Sequence, residues 1–148
     1  MAERKDSENI LDVAARKLRL PFRTPDFVDR IVSGSIDEAG KRTVQVLITT
    51  WDLAEGGPFA AQAIGATGMA KAIDIVYDQL VGPVFGPLLR AVGADRVADR
   101  AGLLATQLVG LGVVRYVARA DPIRSMTPEE LATAVAPTLQ RYLFGDIS

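Results

Sequence analysis

Asp74 and Asp78 stand one helical turn apart in "MAKAIDIVYDQL", which places two carboxylates on one helix face where general acid–base chemistry could use them. Lys71 lies a turn earlier, so the simpler reading of the trio is a solvated, charge-balanced face. Glu129 and Glu130 belong to the start of a helix. The stretches "GATG" and "GGP" lack the strand–turn–helix setting of a phosphate-binding loop. The chain has no histidine and no cysteine, which removes thiolate chemistry, disulfides and the usual zinc sites and leaves catalysis to carboxylates, Lys, Tyr or Ser. No constellation of those residues forms, so the sequence predicts neither an enzyme nor a cofactor or metal.

Binding is the chemistry that remains. Trp51, Phe59, Gln62, Tyr77 and Phe85 are large side chains of the middle segments, able to form apolar pocket walls on which Gln62 and Tyr77 would orient a small ligand. Taken singly, each reads first as ordinary core. The Gly-Pro pairs Gly82-Pro83 and Gly86-Pro87 disturb the backbone beside them, as a pocket wall or as a plain kink.

The chain of 148 residues suits one domain, and roughly 70% of its unfolded surface can be buried at that size. Lys plus Arg total 17 against 18 for Asp plus Glu, a balance without the general basic face of a nucleic-acid binder. The charged start "MAERKDSENI" has no apolar signal-peptide core, and the apolar run 101–114 is interrupted by Thr106 and Gln107 and closed by Arg115. The expectation is a cytoplasmic protein without a membrane span.

Helical periodicity dominates, and no segment alternates with period two, so the fold class is all-α. A first helix covers "ENILDVAARKL". Thr24-Pro25 opens "PDFVDRIVS", which Gly34 ends. Ser35 and Glu38 form a capping box for a helix to about Asp52, with Ile36, Val44, Leu47, Ile48 and Trp51 on its apolar face and Gly40 in the same row. Helices over "PFAAQAIGAT" and "MAKAIDIVYDQL" are separated near Gly68, and "VGPVFGPLLRAVG" is a kinked or broken helix stopped by Gly93. A glycine-bearing helix spans roughly Arg96 to Arg119. In "TPEEL", Thr127, Pro128 and Glu130 start the last helix, and Pro137 bends it.

Gly102, Thr106 and Gly110 form one narrow row on the glycine-bearing helix, and Gly112 adds a further glycine to it. Each helical glycine costs about 1 kcal/mol relative to alanine, so close packing is implied. The rest of this helix is apolar nearly all round. Either a second copy of the chain covers one side or the helix is central to its own domain; Gln107 and Arg115, polar residues amid leucines, point toward an interface.

The stretch "LLATQLVGLGVVRYVARADPIRSMTPEELATAVAPTLQRYLFG" resembles the C-terminal domain of TetR-like transcriptional regulators of the actinobacterial type, and "DEAGKRTVQVLITTWD" and "DQLVGPVFGPLLRAVGA" resemble its preceding helices. The resemblance implies an effector-binding and dimerisation domain over 19–148, with a small apolar effector in the middle helices. It also implies a homodimer through a four-helix interface of the last two helices. Carried over by position, Thr106, Gln107, Gly110, Val114 and Val117 in one helix and Leu131, Val135, Leu139 and Tyr142 in the other would make that interface.

The family's N-terminal unit has three helices, of which the second and third bind DNA. Residues 1–18 resemble a remnant of the first helix, and "RLPFRTPDFV" already resembles the segment after the other two. The chain is then truncated, or a segment between about Lys17 and Arg19 is missing and the backbone is interrupted there. Operator DNA is a partner only where the missing helices exist. The alternative function is a headless interaction protein that dimerises or binds a ligand without touching DNA.

Overall fold

The Ser35 hydroxyl accepts a hydrogen bond from the Asp37 amide at 3.2 Å and opens a 3-10 turn, Ile36–Glu38. In the computed structural model the described residues are 28–31, 33–59 and 65–148. The expected helix at 8–18, the backbone interruption near Lys17 and the side chain of Gln62 lie outside them.

Helix α1, Ala39–Leu53, follows the turn. Glu38 is the last residue of that turn and makes no side-chain cap, so the expected Ser35/Glu38 capping box is replaced by a tighter local turn. Ile36 sits on the exposed side of the turn rather than on the apolar face of α1, which is made by Val44, Leu47, Ile48 and Trp51. Helix α2, Gly65–Leu80, passes through Gly68 without the expected break, since an isolated glycine only weakens a helix.

The proline pairs do not break the chain either. Val81–Phe85 forms a π turn that leads directly into α3, Gly86–Ala91, and the Gly86 amide donates to the Val81 carbonyl. Pro87 has no N–H and its ring crowds the carbonyl four residues back, so the helix accommodates it by widening one turn. Gly93, at φ 71°, stops α3.

Helix α4, Val97–Gly112, continues as a second π segment, Val113–Ala118, and ends where Arg119 turns left-handed. Helix α5, Pro128–Phe144, has both halves of the expected capping box, with Glu130 N–H donating to Thr127 Oγ1 at 3.1 Å and Thr127 N–H to Glu130 Oε2 at 2.9 Å. Pro137 lies inside α5 without ending it. It and Thr133 are exposed, so water can serve the carbonyl that the proline leaves without a donor.

The core runs between α1, α4 and α5, with Trp51, Phe59, Phe85, Leu104, Leu108, Leu131 and Leu139 fully enclosed. No strand occurs among the described residues. The segments Gly68–Ala91 and Val97–Ala118 are long and apolar enough to cross a membrane. Leu80, Val84, Phe85, Leu88, Leu89, Leu104 and Leu108 of those segments point into the shared core, as central helices of a helical domain do.

Candidate functional site

Two arginines, one in α4 and one in the π segment that continues it, clamp α5 at both ends. Arg100, 5% exposed, donates from Nη1 to the Tyr142 carbonyl at 2.9 Å and from Nη2 to the Gly145 carbonyl at 2.7 Å, so it serves the C-terminal end of α5. Asp95 holds its other edge, with Oδ1 accepting from Nη2 at 2.9 Å. Arg115, 9% exposed, donates from Nη1 to the carbonyls of Ile123 at 2.8 Å and Met126 at 2.7 Å, in the turn that launches α5. The start of α4 thus meets the end of α5 and the reverse, making an antiparallel pair. The Arg100 cation also suits the carbonyl-rich C-terminal end of α5 that it faces.

The other face of Arg115 meets α1. Its Nε and Nη2 donate to Asp52 Oδ1 and Oδ2 at 2.9 and 2.7 Å, a bidentate pair. Tyr116 donates its hydroxyl to the same Asp52 Oδ1 at 2.7 Å. Burial alone would raise the Asp52 carboxyl, but the hydrogen bonds from Arg115 and Tyr116 and the Arg115 charge outweigh it and hold its pKa below the ordinary value. Burial, then the Asp52 bond and charge, push the Tyr116 phenol well upward, so it stays a neutral donor. Arg115 therefore finds all its hydrogen-bond partners within the protomer.

Around this pair lies an aromatic cluster. Trp51 packs edge-on against Phe59 at 5.5 Å and against Tyr116 at 6.3 Å between centroids, while Phe59 stacks on Tyr116 at 6.2 Å. Two glycines make room for it. A Cβ on Gly57 would lie 2.4 Å from Trp51, and one on Gly112 would lie 2.2 Å from the Phe59 ring. Of the expected pocket residues, Trp51 and Phe59 are brought together here. Phe85 is buried elsewhere in the same core, and Tyr77 lies half-buried with its hydroxyl 2.9 Å from where a Gly102 Cβ would be. The sequence reading missed Asp52, Arg115 and Tyr116 as a unit because the partners are 63 and 64 residues apart; an isolated arginine closing an apolar run was the available signal.

The outward side of α4 differs from its inward side. Ala101, Leu104, Ala105, Leu108 and Gly112 face the core, whereas Leu103, Thr106 and Gly110 are exposed and Gln107, Val114 and Val117 half-buried. Nothing lies within 4 Å of a Cβ built on Gly110. The glycines divide accordingly: Gly102 and Gly112 admit aromatic side chains of the same chain, and Gly110 lies on open surface. On α5, Leu131 and Leu139 are 1% and 0% exposed and pack into the core of the protomer. Their row points inward because α5 docks tightly on α1, where Gly40 lies against the Ala136 carbonyl and Gln140. Val135 and Tyr142 stay at the half-buried edge. An open depression of about 450 Å³ lies at the start of α5, lined by Thr127, Glu129, Glu130, Thr133 and Ala134, away from the aromatic cluster.

The described residues thus form an all-α domain that ends in an antiparallel helix pair. The sequence pattern of the tetracyclin repressor-like C-terminal domain matches residues 37–143, and the chain belongs to that family. The fold is similar to the crystal structure of a TetR-family regulator from Streptomyces coelicolor A3, with a TM-score of 0.61 and 20% identity over 90% of this chain and 84% of that one. No curated protein sequence matches the chain significantly. The all-helical architecture expected from the sequence is therefore the architecture of a TetR-like C-terminal domain.

Proposed function

We propose that the chain is the effector-sensing and dimerising part of a cytoplasmic TetR-like repressor. The observation that carries this reading is the outward face of α4, where Leu103, Thr106, Gly110 and Val114 make an uncharged stripe between Arg100 and Arg115. Exposed apolar stripes of this kind are surfaces for association, and a two-fold pairing of α4 and α5 with their copies would cover it. Gly110 allows close backbone approach, Thr106 and Gln107 supply polar contacts across the axis, and Val114, Val117, Val135 and Tyr142 extend the contact along both helices.

The effector in this reading is a small apolar molecule taken up by the middle helices beside Trp51 and Phe59, with Gln62, Tyr77 and Phe85 as further candidate contacts. Binding one helix arrangement better than another would shift the geometry of the dimer, and so its affinity for operator DNA through any attached reading head.

Native mass spectrometry tests the dimer directly. The expected result is a dimer for the natural chain and a folded monomer for Gly110→Arg, which sets two charges face to face across the axis. A natural chain that is monomeric at micromolar concentration overturns the reading.

A further inference from the structure

The Asp52–Arg115–Tyr116 cluster touches both the aromatic core and the α5 end of the outward helix pair. We propose that it is a coupling joint, which makes the turn at 121–126 and the first turn of α5 depend on how Trp51 and Phe59 are packed. The inference deepens the sensor reading by giving an effector near the aromatic cluster a route to the dimer helices, but its test needs no effector.

The joint has few ways to yield. Tyr116 is a rigid ring stacked on Phe59, with its hydroxyl on Asp52 Oδ1 at 2.7 Å. Phe59 is confined by Trp51 on one side and by the backbone of Gly112, where a Cβ would come within 2.2 Å, on another. A displaced Phe59 must therefore move Tyr116, and its hydroxyl leaves Asp52. Asp52 Oδ1 also accepts from Arg115 Nε at 2.9 Å, and the same guanidinium holds the Ile123 and Met126 carbonyls. Nε, Nη1 and Nη2 are all engaged, so the group cannot follow a shifted carboxylate without loosening the turn.

The backbone contributes through its π geometry. Arg115 and Tyr116 are sequence neighbours that reach one carboxylate from within the π segment Val113–Ala118. A π turn narrows the angular step between successive residues, which lets both side chains face Asp52. Tightening that turn to a regular α-helix rotates them apart, so the π and α forms correspond to a joined and a released α5 end.

Hydrogen exchange on the whole chain reads the coupling, using Phe59→Leu, Tyr116→Phe and the double variant. The reporters are the turn amides of Arg124 and Met126, bonded to the Ala120 and Pro122 carbonyls, against the Gly145 amide at the Arg100 end, bonded to the Arg141 carbonyl. Each single variant is expected to speed exchange at Arg124 and Met126 by about tenfold beyond any change at Gly145, the size of losing a charge-assisted hydrogen bond. Phe59→Leu added to Tyr116→Phe is expected to change the turn no further. Equal acceleration at both ends, no change at the turn, or full additivity in the double variant overturns the proposal. Should Phe59→Leu fail to fold, Tyr116→Phe, which retains the ring, decides alone. A monomer in native mass spectrometry would defeat the dimeric sensor reading while leaving this result standing.

Discussion

Asp52 is the residue on which several elements converge, and its ionisation links them to pH. Its folded pKa lies below the ordinary 3.8 through Arg115 and Tyr116 acting against burial. A depressed carboxylate stabilises the fold fully above its unfolded value, and the contribution is lost as pH falls through the folded one. Urea denaturation of Asp52→Asn at neutral pH is expected to show a loss of roughly 2 kcal/mol. That is less than for a fully buried pair, because the Asp52 side chain keeps 28% of its surface in water. The same variant loses less of its remaining stability than the natural chain between pH 4 and pH 2 (roughly the carboxylate range). Glycines at this scale separate by their surroundings. Gly112→Ala puts a methyl 2.2 Å from the confined Phe59 ring and is expected to cost about 1–3 kcal/mol in thermal or urea unfolding. Gly110→Ala meets open space in the protomer and is expected to gain up to about 1 kcal/mol from helix propensity. Measured under dimeric conditions, it is expected to weaken association if the backbones approach closely there.

Helix α5 owes its placement to arginines on a neighbouring element. Arg100 binds the carbonyls of Tyr142 and Gly145 and Arg115 those of Ile123 and Met126, so α5 is tied to that element at both ends. Arg100→Met keeps much of the side-chain bulk but removes the donors. It is expected to raise hydrogen exchange at 142–145 by about tenfold or more while the Thr127 end stays protected, since the capping box there is independent. That capping box was legible in the sequence because its partners are three residues apart. The joining of helices across Gly68, and through Pro83 and Pro87, was not. A break signal in the sequence states only a local cost, and packing around Val84, Phe85 and Leu88 outweighs it.

On the scale of the molecule, one side of α4 and α5 closes the core and the other remains open. A pair of arginines facing one another from Gly110→Arg, or a Thr106→Arg substitution on the same stripe, is expected to give a monomer in size-exclusion chromatography with unchanged helical circular dichroism. Loss of helicity instead would mean the stripe serves the protomer fold. The sequence pointed to this helix pair from its apolar, glycine-bearing composition, but it left open whether Arg115 meets the core or an interface, and only the family resemblance carried Leu131 and Leu139 to an interface. The side of α4 that faces the core depends on rotation about its axis, and a helix with apolar residues nearly all round carries little record of it.

The all-α class, the stop of α3 at Gly93, the capped start of α5 and the resemblance to TetR-like regulators follow from residues close together in the chain. Capping, periodicity and glycine stops act within one or two turns, so the sequence alone determined them. The inward and outward sides of α4, the aromatic cluster of Trp51, Phe59 and Tyr116, and the Asp52–Arg115 pair 63 residues apart were decided only by tertiary structure. Such contacts form when packing brings distant segments together, and burial then requires every polar group to find a partner that no local pattern names.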